Sequence, residues 1–91
     1  MTRNEILGEA NRLIHGDRAV DYGDARTSFE DIAVLWSTIL QHQVSPQDVA
    51  RCMIALKIVR LSESPQKIDS WVDIVGYAAI GGELASHRGA E

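Results

Sequence analysis

One cysteine in 91 residues excludes a disulfide framework, and it equally excludes a zinc site built on paired cysteines. That residue, Cys52, sits in the apolar run Cys52-Met53-Ile54-Ala55-Leu56, where a buried and unreactive thiol is expected. No apolar stretch approaches the ~18 residues that read as a membrane span. The segment Met1-Thr2-Arg3-Asn4-Glu5 carries no signal-peptide core, so a reducing cytoplasm is the expected compartment and a membrane is not an expected partner. Basic charge is also short: nine Lys and Arg stand against thirteen Asp and Glu, a formal charge of −4. A duplex-binding module shows a net basic balance or a basic run, and with neither present nucleic acid is not an expected partner. The signatures of covalent and P-loop chemistry are missing as well. There is no Gly-x-Ser-x-Gly elbow, no glycine-rich loop ending in Gly-Lys-Ser/Thr, and no histidine at helical spacing from Cys52.

What is present is enough apolar material for one packed domain, 45% of the residues. A chain this short buries only roughly 60–65% of its unfolded surface. With no disulfide or metal framework to add stability, burial between subunits is expected, and with it a homo-oligomer. Periodicity points to an all-α fold: a compact bundle of three long helices and a short N-terminal one. Thr2-Arg3-Asn4-Glu5 fits a capping box ahead of a first helix over 3–14, with Ile6, Ala10, Leu13 and Ile14 recurring at helical spacing. A second helix is predicted over 25–43, on the stripe Phe29, Ile32, Ala33, Trp36, Ile39 and Leu40. Ser45-Pro46-Gln47-Asp48 opens a third, 46–61. Serine caps, proline takes the first turn where its missing N–H costs nothing, and Asp48 meets the positive end of the dipole. That helix is apolar nearly all round, which predicts cover on most sides, at the centre of the domain or at a subunit interface. The fourth runs over 69–85, and its glycines Gly76, Gly81 and Gly82 imply the close approach of another helix.

Two clusters could carry chemistry. Lys57 and Arg60 share a face of the third helix, while Asp69 and Asp73 repeat at spacing four on the next. A tight turn at Ser64-Pro65 makes those helices antiparallel and sets Arg60 level with Asp69 and Lys57 level with Asp73. Either two ion pairs fix the register, or one partner is left for a ligand phosphate or a divalent cation. The second cluster is the loop 15–24, His-Gly-Asp-Arg-Ala-Val-Asp-Tyr-Gly-Asp. Its glycines free backbone N–H groups for an anion, Arg18 offers a planar fork, Tyr22 a ring face and hydroxyl, and His15 a group that donates or accepts near neutral pH. The bland alternative is turn hydrogen bonds to Asp17 and Asp21 with Arg18 bridging them. Trp71, in the first turn of the last helix, is either core or a stacking surface for a base.

The order Leu13-Ile14-His15-Gly16-Asp17-Arg18, Asp21-Tyr22-Gly23, Phe29-Glu30-Asp31-Ile32-Ala33, and then Asp69-Ser70-Trp71-Val72-Asp73-Ile74-Val75-Gly76-Tyr77, resembles a family of small phage-encoded proteins of unknown function. The resemblance covers about residues 5–84 and implies residence in the cytoplasm of the infected bacterial host. The pattern Lys57, Arg60, Asp69, Asp73, Tyr77 is also similar to helical domains associated with nucleotide modification in phages and to the MazG-like nucleoside-triphosphate pyrophosphohydrolases. Those enzymes hold magnesium with more carboxylates than this chain offers, since Val34 stands where a third would be expected on the second helix.

The expectation is a phage nucleotide-binding protein that sequesters a nucleotide-derived immune signal, cyclic or of ADP-ribose type, without cofactor or catalysis. Its ligand contacts would be His15, Arg18, Asp21, Tyr22, Lys57, Arg60, Trp71 and Asp73. A magnesium-dependent pyrophosphohydrolase or phosphodiesterase, with Glu30, Asp31, Asp69 and Asp73 on the metal, is the alternative. A structural helical interaction module is the third reading.

Overall fold

The computed structural model describes residues 1–16 and 24–86, and those residues form four helices and no strand. Helix α1 spans Arg3–His15, α2 Ala25–Leu40, α3 Pro46–Glu63 and α4 Ile68–Ser86. Each of the first three begins where a side chain satisfies backbone N–H groups that have no partner within the helix. Thr2 and Glu5 form the reciprocal capping box of α1: the Glu5 N–H donates to the Thr2 hydroxyl at 3.2 Å, and the Thr2 N–H to Glu5 Oε1 at 2.8 Å. Asp24 caps α2 by accepting from the Arg26 N–H at 2.9 Å. Ser45 and Asp48 repeat the box at α3, each bond 3.0 Å, with Pro46 in the first turn.

Helix α2 stops at Leu40, three residues before the limit its apolar stripe suggests. Gln41 turns into the left-handed region (φ 53°, ψ 43°), and its N–H caps the Ser37 carbonyl. The Ser37 hydroxyl then accepts the Val44 N–H at 2.8 Å, which folds the chain back into α3. Periodicity alone does not carry this information, because the return is fixed by a side chain that bonds a backbone group seven residues further on, beyond the helix.

Helix α4 is the common element. It pairs along its length with α3 as an antiparallel hairpin and also carries α1, while α2 crosses the end of the hairpin near Val49 and Ala50. The hairpin helices approach closely at Gly81, where a Cβ would lie 3.1 Å from the Cβ of Ala50. Gly76 faces the Ile14 side chain of α1 at ordinary contact distance, 3.8 Å from a built Cβ, and Gly82 faces nothing within 4 Å. Close approach therefore explains Gly81 and not Gly82.

The core is small. Phe29, Ala33, Val49, Ala50 and Leu84 form its centre, Ile32, Trp36, Met53, Tyr77 and Ile80 pack around them, and Val49 is the one large side chain fully enclosed. Phe29 and Tyr77 meet as a tilted ring pair with centroids 6.3 Å apart. Two sequence expectations are corrected here, and the cover expected for α3 is met within one chain on one side. Cys52 is exposed rather than buried. Ile39 and Leu40 lie outside the core, at 68% and 63% exposure. Helix α3 is covered on one side only, since the row of Ala50, Ile54, Lys57 and Leu61 turns inward and Cys52, Ala55, Leu56, Ile58 and Val59 stay exposed. Within the described residues the other side of α3 has no cover, so its apolar periodicity overstates its burial in one chain.

Candidate functional site

The antiparallel hairpin sets Lys57 against Asp73 as the count outward from the turn requires. Lys57 Nζ lies 2.9 Å from Asp73 Oδ2, and the two side chains keep 19% and 15% of their exposure. Both are half-buried between α3 and α4, where charges lose hydration and hold one another in its place. The companion pair does not form: Arg60 and Asp69 are exposed, and neither enters an ion pair among the described residues. Trp71 lies over the same turn. Its indole N–H donates to the Pro65 carbonyl at 3.0 Å while 46% of the residue remains exposed, so the ring is tethered at its polar edge and is not core.

The loop between α1 and α2 has fixed ends. His15 closes α1, with Nδ1 3.2 Å from the Asn11 carbonyl and 3.1 Å from Asn11 Oδ1. The neighbouring Ile14 packs on Gly76, one turn along α4 from Asp73. Asp24 resumes the chain beside Leu84. Arg18, Asp21 and Tyr22, the candidate ligand contacts of the loop, lie outside the described residues, as does Asp17.

Asp24 opens onto a cleft of about 550 Å³ that the sequence does not reveal. Asp24, Arg26, Thr27 and Glu30 from the start of α2, Pro46 and Gln47 from the start of α3, and Leu84 from the end of α4 line it. Two helix N-termini therefore border one space, and the positive ends of their dipoles favour an anion there. The side chains offset part of that field. The Arg26 guanidinium is 3.3 Å from Asp24 Oδ2 and 3.9 Å from Glu83 Oε1, and Glu30 adds a further carboxylate. The only advance signal was the cap chemistry of Ser45, which marks one helix start and says nothing of its proximity to the other.

The carboxylates suggested for magnesium are not gathered. Helix α2 meets α4 through Phe29 with Tyr77 and Arg26 with Glu83, whereas Asp69 precedes Tyr77 by eight residues, roughly 12 Å along the axis. Asp73 is engaged by Lys57. Among the described residues, no three His, Cys, Asp or Glu side chains are grouped to hold a metal ion. None of the helices is long and apolar enough to cross a membrane.

These features define, among the described residues, an all-helical protein with a cleft at a helix junction and a hairpin joined by a half-buried ion pair. Residues 5–85 match the family model described as a domain of unknown function, DUF6378, and the chain belongs to that family. It is 48% identical over 73 residues to the Gene 55 protein of Mycobacterium phage D29, and 46% identical over 76 residues to the Gene 55 protein of Mycobacterium phage L5. Those alignments cover 80% and 82% of this chain, and 48% and 49% of the relatives, so the chain spans about half the length of the phage proteins it matches. The resemblance to a phage family of unknown function is thereby established. No solved structure matches the chain.

Proposed function

We propose that the protein binds a small phosphorylated ligand of the nucleotide class and holds it without cleaving it, so that in the infected host cell it sequesters a nucleotide-derived signal. The observation that carries this reading is the cleft between the N-termini of α2 and α3. Its volume falls within the range of small-molecule sites, and its backbone field suits a phosphate. Arg26 supplies a guanidinium that can exchange a carboxylate partner for a phosphate, and Thr27 supplies a hydroxyl. The segment 15–24 ends at Asp24, which lines the cleft; Arg18 and Tyr22 lie outside the described residues and enter the proposal on their chemistry in the sequence alone. The Lys57–Asp73 pair takes a structural role in this reading, because its charges already satisfy one another. The scattered carboxylates disfavour the magnesium hydrolase alternative.

The test is thermal unfolding against a panel of cyclic and ADP-ribose-type nucleotides with and without magnesium, followed by chromatography of the bound and free fractions. A binder raises the melting temperature without magnesium, by about 10–20 °C at about 100 times Kd, and returns the nucleotide intact. Arg26→Gln and Arg18→Ala each weaken binding about tenfold, the loss of one charge-assisted contact, while Arg60→Ala leaves it within about twofold. Turnover that requires a divalent ion favours the hydrolase, and indifference to every nucleotide overturns both.

A further inference from the structure

We propose that the cleft between α2 and α3 takes nucleotides whose phosphate is esterified on both sides, and so carries one negative charge, and that it discriminates against terminal phosphates. The inference rests on the nucleotide-binding reading above and names the class of ligand within it. Its basis is the set of donors the cleft still has to offer. In α2 the Arg26 N–H is taken by the Asp24 carboxylate and the Ser28 N–H by the Asp24 carbonyl, which leaves the Thr27 N–H. In α3 Pro46 has no N–H, and Asp48 and Val49 donate to Ser45, which leaves the Gln47 N–H. Thr27 and Gln47 both line the cleft. Each helix therefore brings it a backbone donor without a partner among the described residues, and the Thr27 hydroxyl and Gln47 amide are neutral donors beside them.

The charges of the cleft set how much anion these donors can hold. Among the described residues that line it, Arg26 is the one cation, against two carboxylates, Asp24 and Glu30. The guanidinium is already matched, 3.3 Å from Asp24 Oδ2 and 3.9 Å from Glu83 Oε1. The two helix N-termini add roughly half a positive charge each. The cleft is therefore close to neutral. A diester phosphate needs a single charge balanced, and Arg26 with the two N–H groups balances it once the guanidinium turns from a carboxylate. A terminal phosphate carries roughly 1.5–2 negative charges at pH 7, and a diphosphate carries more. Each surplus charge meets Asp24 and Glu30 with no further cation on the lining to answer it. The carboxylates thus select by repulsion, which rejects the wrong ligand without adding a contact to the right one.

Titration calorimetry without magnesium tests it. The base that the nucleotide panel selects is presented as its 3′,5′-cyclic monophosphate, its 5′-monophosphate and its 5′-diphosphate. The cyclic diester is expected to bind about tenfold tighter than the diphosphate, with the 5′-monophosphate between them. Glu30→Gln keeps the size of an exposed side chain and removes its charge, and it tightens the diphosphate at least about threefold more than the cyclic ester. A 5′-monophosphate or diphosphate that binds as tightly as the cyclic ester overturns the inference and leaves nucleotide binding standing. A gap that Glu30→Gln does not narrow also overturns it, because the carboxylates are then not the cause. Failure of every nucleotide in the panel overturns the binding reading, and this inference with it.

Discussion

The most constrained side chains in this protein are Lys57 and Asp73, a pair whose value lies in what its removal would expose. Each charge has given up most of its hydration and has the other within 2.9 Å. Asp73→Ala leaves an ammonium half-buried without a partner, and a loss of about 2–3 kcal/mol in unfolding free energy is expected, below the full cost for a completely buried pair. The double substitution Lys57→Met with Asp73→Leu removes both charges and recovers most of that loss, because apolar residues of similar size fill the same space. Denaturant titration of the two variants measures both. This register was legible in the sequence, since the turn at Ser64-Pro65 and helical spacing fix which residues come level. Whether a level pair closes depends on burial instead. Arg60 and Asp69 occupy the analogous rung nearer the turn, where both are exposed, water competes, and no pair forms. Cys52 and Trp71 show the same limit. Apolar neighbours in sequence predict burial only if something in space covers them.

At the scale of the helices, starts were written locally and stops were not. The capping boxes at Thr2-Glu5 and Ser45-Asp48 use residues three apart, so a sequence motif specifies them fully. The Ser45 backbone N–H, then Arg51, then the Ser45 hydroxyl hold the Asp48 carboxyl below its ordinary value of 3.8. A carboxyl depressed in the folded state stabilises the fold above its unfolded pKa, and that contribution disappears as pH falls through the depressed value. Asp48→Asn should therefore lower the melting temperature near neutrality. The gap from the unaltered protein should close as the pH drops below 3.8, which melting curves over an acid series will show. The glycines of α4 separate in the same way. Gly82→Ala is expected to stabilise by about 0.8–1 kcal/mol, because nothing lies within 4 Å of the added methyl and the helix gains propensity. Gly81→Ala gains less or loses, since its methyl would sit 3.1 Å from the Ala50 Cβ. Calorimetry of the two variants should rank them in that order.

The whole molecule balances a sparse interior against a large apolar exterior. If the chain forms the homo-oligomer its short length leads one to expect, its melting temperature rises with protein concentration, because association stabilises the folded chain by mass action. A melting temperature independent of concentration would leave the small core to hold the fold alone. The cleft at the start of α2 and α3 also belongs to this scale, for it exists only where three helix ends meet.

The sequence by itself determined the helical class, the helix starts and the rung that joins Lys57 to Asp73. Each of these depends on groups a few residues apart or on a count outward from one turn. Only the tertiary structure decided that α2 crosses the hairpin and stops at Leu40, that Asp24 and Gln47 border one cleft, and that the outer side of α3 is left uncovered. Those features depend on which surfaces remain once helices of fixed length have packed. Local pattern specifies that an apolar face must be covered, and the packed arrangement determines what is available to cover it.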